Sequence, residues 1–244
     1  MFLKEKTEAV VLGRQAISEA DSQIILLTDR FGKLKAVARG ERKILSKLRG
    51  GLGLFSWSEI ELVFGYRQPI ITAARPKTPF ANLSRDWARF IVARKMTQDV
   101  EALTPWRLPD DNTWFLYLGA LHALNLMKKH YQRLYYYFLW TLMNSWGYQI
   151  DLQKCARCSN HLKSEVCYLI AQDGIVCPGC RKDEDFLEKI SPNTIKILRL
   201  IAEKDKACLA RIKTSPEDQK NLEKVSRFFL DSVRQDQSSS LIKS

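Results

Sequence analysis

No stretch of this chain is apolar for long enough to cross a membrane as a helix. The longest apolar run, near Leu134–Met143, is interrupted by Thr141. It reaches about half the length such a helix needs, roughly 20 residues. The N-terminus, MFLKEKTEAVVLGR, carries two acids and no apolar core, which argues against a secretory signal. The expectation is a soluble, cytoplasmic protein. Histidine is scarce: there are three, His122, His130 and His161. His122 sits in an apolar helical segment with no carboxylate at metal-sharing spacing, so it reads as a core or interfacial residue. No G-x-S-x-G, P-loop or G-x-G-x-x-G occurs. GGLG at 50–53 lacks the Lys-Ser/Thr that grips phosphate and metal. Glu19 and Asp21 fall in a loop, Asp110 and Asp111 are adjacent, and DED at 183–185 opens or solvates a helix. With no catalytic constellation in view, the expectation is a protein that is not an enzyme.

Acidic side chains are outnumbered, 27 against 39 Lys and Arg, for a net charge of +12. Residues 1–80 hold 14 basic and 8 acidic groups, half of that excess. A basic domain argues for a polyanionic partner, nucleic acid first. Acidic membrane surfaces come second, because no amphipathic basic helix carries the charge.

The N-terminal third reads as β structure. Strands are expected over 8–17, 23–28, 33–39, 57–66 and 69–75, with Gly32 at positive φ in the turn DRFG. In the third strand Leu34, Ala36 and Ala38 share one face, while Lys33, Lys35 and Arg39 share the other. In the fourth, Ile60, Leu62 and Phe64 point inward. Five short strands pack economically as a closed barrel of the OB type, which hides the sheet edges. From residue 81 the period turns helical, with apolar residues at Trp87, Ile91, Val92, Met96, Val100 and Leu103. Segments 112–127 and 131–147 are apolar nearly all round and are expected at the centre of a bundle, the second stopping at Gly147. Ser191-Pro192 and Ser215-Pro216 are helix starts, with Asp218 placed for a capping box and Leu222, Val225, Phe229 and Val233 forming the buried stripe. The tail from 237 is expected to fray.

Six cysteines follow a cysteine-free stretch of 154 residues: Cys155, Cys158, Cys167, Cys177, Cys180 and Cys208. Cys155, Cys158, Cys177 and Cys180 read C-x2-C-x18-C-x2-C. Two such knuckles complete a tetrahedral, closed and therefore structural Zn2+ site. Two unconnected pairs, or a thiol–disulfide motif, are the alternatives. The segment between the knuckles reads as a hairpin around Asp173-Gly174 that brings them together. Cys167 is expected as a buried hairpin residue, His161 at the surface and Cys208 in the core.

The densest charge is RGERKILSKLRG, residues 39–50, with five cations and one acid. Lys33, Lys35, Arg39, Arg42, Lys43, Lys47 and Arg49 form the candidate DNA-binding set. Such a stripe neutralises phosphates and releases counterions, so binding is strong, salt-dependent and indifferent to sequence. Phe55, Trp57 and Tyr66 stack bases if they face outward, and belong to the barrel core if they do not.

The segment SEADSQIILLTDRFGKLKAVARGERKILSKLRGGLGLF, residues 18–55, resembles the signature of the RecO family of bacterial DNA repair proteins. Glu19 and Asp21, Ile24–Leu27, Gly32-Lys33, Ala38-Arg39-Gly40, Arg42-Lys43, Ser46 and Arg49 to Phe55 carry the likeness. The length, the β-then-helical order and the late cysteine pairs match as well. Ile44-Leu45 departs from it, standing where more polar residues are expected. The resemblance implies an α+β multidomain fold: an OB-fold DNA-binding domain (1–80), a helical domain in two parts (81–150 and 187–236), an inserted zinc-binding module (151–186) and a flexible tail (237–244). It implies a recombination mediator that binds single- and double-stranded DNA and anneals complementary strands. Its implied partners are RecR, with which it helps load RecA, and the acidic C-terminal tail of single-strand DNA-binding protein. The residues alone leave open an adaptor that captures acidic protein tails, or a zinc-ribbon RNA-binding factor.

Overall fold

The computed structural model describes residues 3–78, 80–163, 165–171, 173–182, 186–203 and 215–242. Cys208 and the acidic triplet 183–185 lie outside the described residues. The chain divides into two compact units, Met1–Phe138 and Leu139–Ser244.

The first unit opens with five strands: β1 (Leu3–Ala16), β2 (Ser22–Thr28), β3 (Gly32–Ala38), β4 (Trp57–Phe64) and β5 (Ile70–Thr78). They close into a barrel of order β1-β2-β3-β5-β4. Closure depends on the length of β1. Its first half, Leu3–Val10, pairs with β4, and Ala9–Ala16 pairs with β2, with a register shift between Val11 and Gly13. A bulge there lets one strand bend between two neighbours. The parallel pair Val37 and Ile70 joins β3 to β5. Alternation places Ile24, Leu26, Leu34, Ala36, Ala38, Ile60 and Leu62 in the interior, so the inward faces expected from the sequence are the observed ones. Gly32 has φ 63°, and a Cβ there would lie 2.2 Å from the carbonyl oxygen of Leu108. Only glycine permits both the turn and that approach.

Helices follow: α1 (Ala81–Arg85), α2 (Trp87–Leu103), α3 (Asp111–Leu126) and α4 (Tyr131–Ser145). Asp86 caps α2 by accepting from the Arg89 N–H at 3.1 Å, and Asp110 caps α3 by accepting from Thr113 at 2.8 Å. Asp110 is thus a cap and not half of an acidic site. Thr97 on α2 meets the Tyr117 hydroxyl on α3 at 2.7 Å. Complete burial pushes the phenol well above its ordinary titration range, against the lowering influence of the Thr97 hydrogen bond and of Arg94. The expectation of an all-round buried helix holds for α4 from Leu134 to Trp140 but fails for α3. There Phe115, His122 and Leu126 are exposed, at spacings of seven and four residues on one face. His122 is therefore a surface residue and not a core one. Composition cannot distinguish an apolar face that is buried from one that is not.

In the second unit, β6 (Cys167–Ile170) is flanked by β7 (Gly174–Val176) and β8 (Leu187–Ile190). Among the described residues it continues with the helices α5 (Pro192–Ala202) and α6 (Pro216–Ile242). Ser191 accepts from the Thr194 N–H at 3.1 Å. Ser215 and Asp218 form a reciprocal box: Ser215 Oγ accepts from the Asp218 N–H at 3.1 Å, and Asp218 Oδ2 accepts from the Ser215 N–H at 3.2 Å. α6 runs through Ile242, where the sequence suggested a frayed tail. Its buried stripe Leu222, Val225, Phe229 and Val233 matches expectation, and Trp140 stacks on Phe229 at 5.1 Å.

Candidate nucleic-acid interface and metal centre

The basic loop begins where β3 ends. Its one acid, Glu41, is fully buried. Both carboxylate oxygens accept from Arg14 Nη2, at 3.1 and 2.9 Å, and Oε2 also accepts from Ser22 Oγ at 2.8 Å. A buried carboxylate is tolerated only with such partners. Beside it the Gly40 N–H donates to Asp21 Oδ1 at 2.7 Å, and the Arg42 N–H donates to the Ala20 carbonyl at 3.0 Å. At the far end Leu52 enters the barrel core, Leu48 packs on it, and Ser58 Oγ donates to the Gly51 carbonyl at 2.8 Å. The loop is fastened at both ends to the barrel, and its cations are left outside.

Lys35, Arg39, Arg42, Lys43, Lys47 and Arg49 are all exposed. Lys4, Arg14, Arg30, Arg75 and Lys77 of the barrel each pair with an acid. Among the described residues, Arg39, Lys43, Lys47 and Arg49 form no such pair. Arg42 donates to the Ser18 carbonyl at 2.7 Å, which orients it without neutralising it. Unpaired cations clustered on an anchored loop produce a local positive potential.

Lys33 does not join them. It is 3% exposed, its ammonium donates to the Glu101 carbonyl at the end of α2, and it lies 4.4 Å from the Trp106 ring centroid. The segment after α2 docks on β3, with the Arg107 N–H donating to the Lys33 carbonyl at 2.8 Å. Burial pulls the ammonium down to about 8, against a raising influence from Glu101 and a lowering one from Lys35. Alternation placed Lys33 on the outer face correctly. It could not show that the loop holding Trp106, distant in sequence, covers that face. Lys35, two residues on, stays exposed at 5.0 Å from the same ring. Of the aromatics, Phe55 is core, Trp57 is half-buried with Nε1 donating to Glu8 Oε2 at 2.9 Å, and Tyr66 is exposed.

In the second unit the four cysteines converge. The Sγ atoms of Cys155, Cys158, Cys177 and Cys180 all lie within 4.8 Å of one another, with Cys158 and Cys177 at 4.0 Å. Four thiolates tetrahedrally about 2.3 Å from one zinc would be separated by about 3.8 Å. The set therefore fits one metal ion, and the alternative of two unconnected pairs is excluded. The hairpin does what its sequence suggested: Tyr168 pairs with Val176, Ile170 pairs with Gly174, and Gly174 has φ 101°. The Ala156 N–H donates to the Ile175 carbonyl at 2.8 Å, drawing the first knuckle onto the strand that leads to the second. Burial would raise the Cys155 thiol, but the backbone N–H groups of Cys158, Cys177 and Arg157 outweigh it and hold it at about 6. Cys180 is pushed up to about 12, chiefly by its hydrogen bonds with Cys158 and Cys177. Cys167 is buried, outside the cluster, and raised to about 11 by that burial, with Glu165 adding to it. His161 is exposed.

Comparison with known proteins accounts for this architecture. The family model described as Recombination protein O N terminal matches residues 1–76, and the one described as Recombination protein O C terminal matches residues 84–238. This chain belongs to the RecO family. A DNA repair protein RecO from Alkaliphilus metalliredigens is 28% identical over 225 residues, covering 92% of each chain. One from Heliobacterium modesticaldum is 29% identical over 234 residues, covering 94% of this chain and 84% of its own. One from Frankia casuarinae is 32% identical over 181 residues, covering 72% and 73%. Family membership places the chain among DNA repair and recombination proteins, and no helix among the described residues is long and apolar enough to cross a membrane. Within this RecO-family architecture, sequence reasoning missed Glu41 and Trp106. In the sequence Glu41 is only the one acid of a cationic run. A lone acid among five cations, two residues past a strand end, is the available signal that it turns inward.

Proposed function

We propose that the chain is a recombination mediator that binds single- and double-stranded DNA through Lys35, Arg39, Arg42, Lys43, Lys47 and Arg49 and anneals complementary strands. The observation that carries this reading is the loop itself, exposed and unpaired in its cations while its one carboxylate is buried. Annealing needs no covalent chemistry. A cationic surface that holds two strands screens their repulsion and raises their local concentration, so pairing accelerates without ATP. Membership of the family supports the rest: action with RecR, loading of RecA, contact with the C-terminal tail of single-strand DNA-binding protein, and work on nucleoid DNA in the cytoplasm. Residues 1–80 act as the DNA-binding domain and 151–186 as the zinc module. Cys155, Cys158, Cys177 and Cys180 would hold Zn2+, which supplies a cross-link between the two knuckles and no reaction step.

The test is fluorescence-monitored annealing of complementary strands precoated with their cognate single-strand DNA-binding protein, without nucleotide. Acceleration at up to equimolar protein is expected. No acceleration by folded, metal-loaded protein overturns annealing as the function. A second reading, an adaptor for acidic protein tails, is favoured by the exposed apolar residues Phe115 and Leu126 on α3. Tail peptides carry few charges, so their binding would show a shallower salt slope than DNA binding. An RNA preference would appear as tighter binding of matched RNA strands.

A further inference from the structure

The tip of the basic loop carries two aliphatic side chains that stand almost wholly in solvent. The Ser46 N–H donates to the Lys43 carbonyl at 3.0 Å, closing a turn whose central residues are Ile44 and Leu45. Their side chains are 88% and 94% exposed. Turn centres favour Gly, Pro, Asn, Asp and Ser, for reasons of backbone geometry and solvation. Two aliphatics there violate local preference, and such violations mark functional positions. Packing does not explain them, since the loop's other leucines, Leu48 and Leu52, are the ones that reach the barrel. Nor is the tip a loose end. The Lys43 N–H donates to the Gly40 carbonyl at 3.2 Å and the Arg49 N–H to the Ser46 carbonyl at 3.4 Å, so successive turns stiffen the segment, and Glu41 anchors its base.

We propose that Ile44 and Leu45 form an apolar wedge that enters between stacked bases of duplex DNA while the flanking cations hold the phosphates. The inference rests on the DNA-binding reading above. Arg42 and Lys43 precede the pair, and Lys47 and Arg49 follow it. Phosphates drawn to both flanks bring the tip against the base stack, where the apolar surface it can cover becomes accessible only by parting a base step. A wedge of this kind lets a mediator sense and loosen helical ends and junctions without consuming nucleotide.

The test uses the full-length, metal-loaded protein and a duplex carrying 2-aminopurine beside a single-strand junction. Binding is followed by anisotropy and unstacking by 2-aminopurine fluorescence. Wild-type protein is expected to raise the fluorescence on binding. The double variant Ile44→Ser, Leu45→Ser should still bind but lose most of that rise, and Ile44→Phe, Leu45→Phe should retain it. Wild-type binding with no fluorescence change, or an equal rise with the serine variant, overturns the wedge and leaves the DNA-binding reading standing. No binding of any DNA overturns both. Binding to phosphatidylglycerol vesicles that the serine variant loses, with its 2-aminopurine signal intact, also overturns the wedge and assigns the tip to an anionic lipid surface.

Discussion

The ammonium of Lys33 lies 4.4 Å from the centroid of the Trp106 ring and donates to the carbonyl of Glu101. One lysine thus ties β3 to the end of α2 and to the loop beyond it, and is withdrawn from the cationic surface that its neighbour Lys35 joins.

This withdrawal has two measurable consequences. Lys33→Met should bind DNA as wild type does, since the side chain touches no solvent-facing phosphate path. The second concerns pH. The folded ammonium titrates near 8 and the unfolded one near 10.5, so between those values the unfolded chain holds a proton that the folded chain has released. Stability from this group therefore rises with pH across that window, by at most about 1.4 kcal/mol per pH unit. Below pH 8 both states are protonated and the cost of burying the charge is fully present. Urea unfolding at several alkaline pH values should show this slope in wild type and its loss in Lys33→Met. Parallel pH profiles for the two proteins would contradict it.

Arg14 and Glu41 should prove asymmetric. Removing Arg14 leaves a buried carboxylate with only Ser22 beside it, so Arg14→Ala is expected to cost about 3–5 kcal/mol. Glu41→Gln keeps an acceptor for both neighbours and leaves a half-exposed arginine that water can solvate, at a cost of about 1–2 kcal/mol. Denaturant midpoints of the two variants check the order. Equal midpoints would mean that the pair does not anchor the loop.

Reversing Arg39, Lys43 and Lys47 to Glu should abolish annealing and DNA binding together while leaving the fold intact, because the three side chains are exposed and form no ion pair among the described residues. Single Arg39→Ala should lower the slope of log affinity against log salt by about 0.9 on duplex. A folded triple variant that anneals at the wild-type rate would falsify the placement of the interface.

Metal should leave with the cysteines. A strong chelator is expected to release one zinc ion per chain, measured by a colorimetric zinc indicator, and Cys158→Ser or Cys180→Ser should purify metal-poor. Cys167→Ala should keep its metal, because that thiol lies outside the four-sulfur cluster. Metal-free wild-type protein from zinc-replete cells would rule out the centre.

The features that local rules govern were readable from the chain. Period-two alternation marked the inner faces of β3 and β4. Ser-Pro pairs marked the starts of α5 and α6. Cysteine spacing marked the four thiols that converge, because each knuckle and the hairpin between them are built from neighbours in sequence. What the tertiary structure alone decided is which surfaces are covered. It buried Lys33 under Trp106, about seventy residues away in sequence, turned Glu41 inward onto Arg14, and left Phe115 and His122 of α3 in solvent. It also set Ile44 and Leu45 at the apex of a stiff turn. The reason is physical. Periodicity reports the direction a side chain takes from its own backbone, whereas burial depends on what another part of the chain brings to meet it.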